Sequence, residues 1–431
     1  MGAGTIGLGF ALVGALLLLG LPVAVVMAGL GVGAGLFTSG AAFVTSMGSV
    51  LWGVQNDNMM TAIPLFILLG EILLRSGLAD GMYVALAAWL GRLPGGLVHT
   101  NIGASALFSA TCGSSVATAA TIGTVALPNL DRRGYDRRQA LGSLAAGGTL
   151  GILIPPSIAL LVYGSLTNNS IGQLFIAGIV PGILLTLAFM GIIVVQNRFQ
   201  RVATAEARVP LSECIRLSGG LFPPFVIFGF VMGSLYLGWA TPTESAAVGV
   251  AIALLLARSH GRLDFAVLHQ SFRHTAVLTG MIVLIICGAF ILNVTLSMLG
   301  IPQIMTKWVT ELGLTPTALI FILIVFYLIL GCFLEVLSIQ VTTIPIAYPI
   351  VTAVGVDPIW FGIFIVLMSE IAMITPPVGM NLYVVQSIRK DGGKIDDVIW
   401  GVMPYVVVML AFTVLLWFWQ DLVLWLPRGV Q

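Results

Sequence analysis

Two stretches carry the residue types that could hold a small charged solute inside an apolar environment. They are Gly147-Gly-Thr-Leu-Gly-Ile-Leu-Ile-Pro-Pro-Ser157 and Ser369-Glu-Ile-Ala-Met-Ile-Thr-Pro-Pro-Val-Gly379. Each sets a Pro-Pro pair inside a run that otherwise reads as a membrane helix. Proline lacks an amide hydrogen and its ring clashes with the preceding turn, so both helices are expected to break. Lipid cannot satisfy the freed backbone groups, so backbone unwound at membrane depth must line a cavity or bind something. Thr375 before Pro376-Pro377 has the form of an N-cap followed by proline at the first helical positions, and Ile154-Pro155-Pro156-Ser157 is its weaker counterpart. A half-helix N-terminus of that kind presents its positive dipole end to an anion.

Other chemistry is scarce. Four acids lie within apolar segments, Glu71, Glu244, Glu335 and Glu370. Buried carboxylates are costly and often serve as ion ligands or proton carriers, though an interfacial or capping position is the plainer alternative. Glu244 follows Thr-Pro-Thr at the start of a span, which points to N-terminal capping. His99, His260, His269 and His274 fall at loops and span edges without zinc spacing, and no phosphate-binding Gly-x-x-x-x-Gly-Lys-Ser/Thr segment exists. No convergent His/Asp, Cys/His or Ser/Lys set suggests an enzyme. The four cysteines lack metal-type spacing, and three sit in apolar runs, so a disulfide framework is not expected.

Composition explains why so little is polar. Apolar residues make up 58% of the 431-residue chain and charged residues 8%, against roughly a quarter charged in an ordinary soluble domain. This is the composition of an integral membrane protein, long enough for about ten to twelve crossings of roughly 20 residues. The N-terminus has no basic region of the signal-peptide kind.

Along the chain, spans are expected at 5–20, 22–38 and 61–75, with interfacial segments at 40–57 and 80–92. Residues 97–130, interrupted at Thr111–Thr118, read as a re-entrant hairpin, and 139–165 as the first broken helix. Spans follow at 173–197, 220–239, 242–257 and 275–300, then an interfacial segment at 302–312. Residues 315–355, interrupted at Gly331–Glu335 and Ser338–Thr343, repeat the hairpin. Residues 357–388 form the second broken helix and 398–425 a final span.

The order hairpin, broken helix, loop, span thus occurs twice. Pro155-Pro156 matches Pro376-Pro377, Ala126-Leu-Pro128 matches Ala347-Tyr-Pro349, and Gly178-Ile-Val-Pro181 matches Gly401-Val-Met-Pro404, at an almost constant offset. Such regularity indicates an internal duplication. With the N-terminus outside, ten full spans and both hairpins returning to their side of entry, all 18 basic residues except Lys307 and Arg428 fall on the inner side. The repeats are then inverted, an architecture of secondary transporters. All basic residues lie in expected loops or at span ends, so an anion in the core would have to be held by dipoles, hydroxyls, an amide and nearby cations. The arginine runs mark the inner face and call for no nucleic-acid partner.

At these motifs the chain resembles the large membrane subunit of tripartite ATP-independent periplasmic (TRAP) transporters, within the ion transporter superfamily. The matching pieces are Gly113-Ser-Ser-Val-Ala-Thr118, Ile122-Gly-Thr-Val-Ala-Leu-Pro128, Gly148–Ser157, Trp239-Ala-Thr-Pro-Thr-Glu-Ser-Ala-Ala247, Gly331-Cys-Phe-Leu-Glu335, and Ile374-Thr-Pro-Pro-Val-Gly379 with Asn381. They span nearly the whole length. The resemblance implies an all-α integral membrane protein with about ten full spans, two re-entrant helical hairpins and inverted-topology repeats. Its elevator-type organisation would place scaffold elements at 1–96 and 201–314 and a transport domain at 97–200 and 315–431. It further implies sodium-coupled import of a small organic acid across the bacterial inner membrane, with both termini periplasmic. A small four-helix membrane subunit and a soluble periplasmic substrate-binding protein would be partners, with no role for ATP. The chain carries no fused small subunit, so that partner is expected to be separate. A further departure is Ala372, where a glycine is expected in the second broken helix.

At least two sodium ions are expected. Each needs about five or six oxygens, which half-helix carbonyls and hydroxyls can supply. The first set would be Ser114, Ser115 and Thr118 with backbone from Gly148 through Gly151 to Ile154; the second would be Ser338, Thr342 and Thr343 with backbone of Met373, Thr375 and Pro376. Ser157, Thr375, Gly379 and Asn381 would contact substrate. The plainer reading of these small residues is close helix packing, but their pairing beside two breaks favours sites. Two other readings compete: a stand-alone sodium:dicarboxylate symporter of the same superfamily, which would bind substrate without a delivering protein, and a channel, which has no need of paired breaks.

Overall fold

The computed structural model describes residues 9, 12–17, 19–200 and 209–429. Of the span expected at 5–20, residues 9 and 12–17 are helical, and residues 5–8, 10, 11 and 18 lie outside the described residues. Among the described residues the regular structure is entirely helical. The chain begins with α1 (Val23–Ser39), α2 (Ala41–Gln55), α3 (Asn58–Arg75) and α4 (Leu78–Leu90). The first hairpin is α5 (Leu97–Cys112) and α6 (Ser115–Arg132); the first broken helix is α7 (Arg137–Leu153) and α8 (Ile158–Thr167), followed by α9 (Ile171–Gln200). A middle group comprises α10 (Leu211–Leu217), α11 (Phe222–Tyr236), α12 (Pro242–Ser259), α13 (Phe265–Met298) and α14 (Ile301–Glu311). The second hairpin is α15 (Pro316–Gly331) and α16 (Val336–Ala353), the second broken helix α17 (Pro358–Ile374) and α18 (Met380–Ile388), and the chain ends with α19 (Asp396–Phe418) and α20 (Asp421–Gly429).

Two local details differ from expectation. The hydroxyl cluster Ser338–Thr343 does not interrupt the second hairpin but lies inside α16, because the cap at Glu335 already starts a helix there. The final span stops at Phe418, and α20 packs back against α9. Six described helices are long and apolar enough to cross a membrane, taking 137–167 across its break; α2 and α3, bent by 44°, would make a seventh if joined. Shorter apolar helices are α1, α4, α15 and α17. A helix of 17 residues such as α7 or α17 rises roughly 26 Å, short of a hydrocarbon core of about 30 Å. That length suits an arm that ends inside the membrane.

Packing repeats with the sequence. The arm α7 packs on α5 and α6, and α17 packs on α15 and α16. The second halves then exchange partners: α8 lies against α16, and α18 lies against α6. The long helices exchange too, α19 against α7 and α9 against α17, while α7 and α17 meet each other. Every residue from Gln139 to Leu153 and from Trp360 to Ile374 is buried, as expected for helices apolar all round at the centre of a bundle. Around this core α13 binds α1 and α3, and α12 binds α3 and α11. Their outward faces carry exposed Phe37, Phe230, Leu255 and Leu284, which suits contact with lipid.

Candidate functional site

Both breaks are present. The first runs through Ile154, which ends α7 in an extended conformation, across the cis peptide Pro155-Pro156 to Ser157. Ser157 caps α8: its Oγ accepts from Leu160 N at 3.2 Å and donates to the Ile152 carbonyl. The second runs from Thr375 across the cis peptide Pro376-Pro377 to Gly379. Here the expected N-cap is reversed. Thr375 ends α17, its hydroxyl donating back to Ile371 O at 2.6 Å, and α18 starts at Gly379 without a side-chain cap. Three residues separate Thr375 from Gly379, too far for the hydroxyl to cap the later helix, so it bonds the turn behind it.

The hairpin tip between α5 and α6 fits into the first break. Gly113 turns the chain at φ 65°, a conformation that favours glycine. Ser114 then caps α6 by accepting from Ala117 N. A methyl group on Gly151 would stand 2.7 Å from the Ser114 carbonyl, and one on Gly148 would stand 3.2 Å from the Ser115 carbonyl. The glycines of α7 therefore let the tip's carbonyls approach the helix backbone. Thr118 donates to Ser114 O at 2.8 Å. The expected first set is thus brought together, Ser114, Ser115 and Thr118 against Gly148 and Gly151, with Ile154 beyond.

Two side chains from the other repeat complete it. Glu370 of α17, fully buried, accepts from Ile152 N at 3.1 Å, and its oxygens lie 3.3 and 3.4 Å from Ser115 Oγ. Asn381 of α18, equally buried, donates from Nδ2 to Ala145 O at 3.3 Å and reaches toward Gly148. Its Oδ1 has no partner among the described residues.

The second set is not assembled in the same way. Ser338 gives its N–H and hydroxyl to Glu335, the N-cap of α16. Thr342 contacts Met27 Sδ at 3.7 Å, and Thr343 donates to Ile339 O while accepting from Tyr327. Backbone near the break is tightly folded: a methyl on Gly379 would lie 2.8 Å from Met373 O, and the Pro376 carbonyl accepts from Cys332 Sγ at 3.5 Å. Ala372, where a glycine was expected, is accommodated from the opposite side, since its methyl packs on Gly331 of α15. Glu244 forms the expected cap, a reciprocal box with Thr241 at the start of α12.

A cavity of about 540 Å³ joins these parts. Both hairpin tips reach it through Ser114, Ser115 and Glu335, and both breaks reach it through Ile152, Ile158, Met373 and Met380. Its far wall carries Glu71 and Arg75 of α3 and His274 of α13. Arg75 and His274 were missed by reading them as loop or span-edge residues; the signal available was a Glu and an Arg four apart on one helix face. A second opening, about 680 Å³, lies between α14 and α16 and contains none of the expected site residues.

Residues 10–422 match the family described as "Tripartite ATP-independent periplasmic transporter, DctM component". The chain belongs to this family. Among TRAP large permeases, it is 34% identical to the C4-dicarboxylate TRAP transporter large permease protein DctM of Pseudomonas aeruginosa, over 89% of this chain and 90% of that one. It is 30% identical to the sialic acid TRAP transporter large permease protein SiaM of Vibrio cholerae, over 88% of each chain. The fold is that of the YdaH transporter of Alcanivorax borkumensis, with a TM-score of 0.64 at 15% identity over 96% of this chain and 98% of that one. As a TRAP large permease, the chain is a multi-pass membrane transporter and not an enzyme.

Proposed function

We propose that this TRAP permease imports a small organic acid across the bacterial inner membrane, driven by sodium and supplied by a soluble periplasmic binding protein. The observation that carries the reading is the convergence of both hairpin tips and both helix breaks on one cavity. At the first break, carbonyls of the tip, the Ser115 hydroxyl and a carboxylate crowd together with no cationic side chain bonded to them among the described residues. Such an oxygen-rich site suits a small hard cation. A second ion at Met373, Thr375 and Pro376 requires Ser338, Thr342 or Thr343 to leave its present partner. Substrate would sit in the cavity with sodium supplying positive charge beside it; Asn381, Ser157, Gly379 and Thr375 do not line the cavity as it stands, so they would reach substrate only if the breaks shift.

In this reading α5–α9 and α15–α20 form the moving transport domain, and the remaining helices form the scaffold, joined by a small four-helix subunit. The cavity lies between the two groups. By the basic-residue count its Arg75 side would be cytoplasmic and both termini periplasmic, and the cavity would then open inward.

The test uses proteoliposomes holding the permease and its small partner, with labelled succinate and sialic acid as probes. Uptake should require both an inward sodium gradient and the binding protein. Uptake that persists without sodium contradicts the coupling; uptake without the binding protein favours the stand-alone symporter instead.

A further inference from the structure

The cavity wall opposite the breaks holds a clamped carboxylate. Arg75 Nε lies 2.8 Å from Glu71 Oε2, and His274 Nδ1 lies 2.6 Å from Glu71 Oε1. One terminal nitrogen of Arg75 also donates to Gln270 Oε1 at 3.0 Å. The acid lies behind and the cations in front: Glu71 is 6% exposed at its side chain, Arg75 27% and His274 49%. All three line the cavity that Ser115 and Met373 also line.

A tie between α3 and α13 would explain an ion pair, and a basic residue in the last turn of α3 suits the helix dipole. Neither explains why the cationic groups face the opening. The other terminal nitrogen of Arg75 and Nε2 of His274 make no hydrogen bond among the described residues. A guanidinium and an imidazole around one carboxylate form a site matched in shape and charge to carboxylates generally, and the guanidinium fork is well suited to bind one in bidentate fashion. Glu71 satisfies the clamp from within the chain. A second carboxylate entering the cavity would meet the unused donors first.

We propose that Arg75 and His274 form a carboxylate-binding site on the scaffold wall, filled by Glu71 in the empty permease and by the transported acid as it leaves. This rests on the reading that the cavity carries an organic acid. It places on the scaffold the cationic side chains that the transport core lacks. The acid passes from a site beside sodium to a fixed site beside Arg75, and Glu71 returns to the clamp when the acid departs. Glu71 thereby limits how tightly the product is held.

The experiment measures thermal unfolding of the full chain in lipid nanodiscs, without sodium, at rising potassium acetate against potassium chloride of equal ionic strength. Wild type should be stabilised by acetate at high concentration only. Glu71→Gln removes the internal competitor, so half-maximal stabilisation should come at about tenfold lower acetate. Adding Arg75→Gln to that variant should abolish the acetate effect. His274→Gln alone, at a half-exposed position, should leave folding intact and raise the acetate needed several-fold, which keeps the test open if Glu71→Gln folds poorly. Acetate dependence equal in wild type and Glu71→Gln, or unchanged by loss of Arg75 or His274, overturns the proposal. Sodium-independent uptake combined with the expected acetate order would instead remove the coupling reading and leave the anion site standing.

Discussion

The two breaks share one sequence pattern and one packing scheme, yet they are built differently. At the first, residues 155–157 are buried, the hairpin tip presses its carbonyls onto Gly148 and Gly151, and Ser157 caps the next helix. At the second, Pro377 and Val378 are exposed, no side chain caps α18, and Ser338, Thr342 and Thr343 are bonded elsewhere. The polar side chains that complete the first site come from the second repeat. Glu370 corresponds in the first repeat to Thr149, whose hydroxyl donates to Ala146 O of its own helix and to Met409 Sδ of α19, and Asn381 corresponds to the apolar stretch Ile158-Ala-Leu160. Duplication therefore preserved the backbone breaks while the polar groups diverged, and one repeat now furnishes the other.

The largest break in that comparison should come from Gly151→Val set against Ala372→Gly. A side chain at 151 meets the Ser114 backbone, which cannot move away without opening the tip, so overpacking should cost about 3 kcal/mol. Ala372→Gly removes a methyl that already has room against Gly331 and should cost about 1 kcal/mol. Thermal unfolding of the purified variants checks the order; similar losses would mean the two breaks are equally tight.

Next in size is Glu370→Ala against Glu335→Ala. The first removes a fully buried carboxylate together with the hydrogen bond it accepts from Ile152 N, at about 1–3 kcal/mol. The second removes a part-exposed helix cap, at about 1 kcal/mol. Glu370→Ala should also raise the sodium concentration for half-maximal uptake, and Glu335→Ala should leave it nearer the wild-type value. Ser115→Ala should likewise raise it, and by more than Thr342→Ala does, because only Ser115 stands beside a carboxylate from the other repeat. Equal effects at Ser115 and Thr342 would show that both sites are formed alike.

The smallest effect concerns how the repeats are tied at the end of α18. Asp391 pairs with Arg389 and, across the repeats, with Arg137 at the start of α7. The Arg389 hydrogen bond holds the Asp391 carboxyl well below the usual carboxylate range. A carboxyl lowered by folding adds stability that is present above its unfolded pKa, about 3.9, and is lost only as pH falls through the lowered value. Hydrogen exchange in 389–395 should therefore be insensitive to this group between about pH 8 and 5, whereas Asp391→Asn should loosen the segment throughout. Loosening on acidification within that window would refute the assignment.

Much of this fold was legible. Pro-Pro pairs located both broken helices, and the turn segments at 111–118 and 331–335 located both hairpins, because each reflects a local backbone requirement, whereas the hydroxyls at 338–343 lie inside a helix. What stayed hidden depended on distant packing. Nothing near Glu370 in sequence reveals Ile152, and nothing near Asn381 reveals Ala145, since those contacts arise when α17 and α18 cross into the first repeat. Thr375 misled because its Thr-Pro-Pro order satisfies a cap rule that the intervening residues displace. Arg75 is hidden by its place at the end of α3, where charge is ordinarily solvated, and His274 because its partner Glu71 lies on another helix.

The proposal on which the rest depends is a cation at the first break, beside Glu370 and Asn381. Equilibrium binding of radioactive sodium to the purified full chain tests this most directly. Binding should be saturable and should weaken in Ser115→Ala and in Glu370→Gln, each folded as judged by unchanged monodispersity. Saturable binding identical in both variants, or none in the wild type, would contradict it.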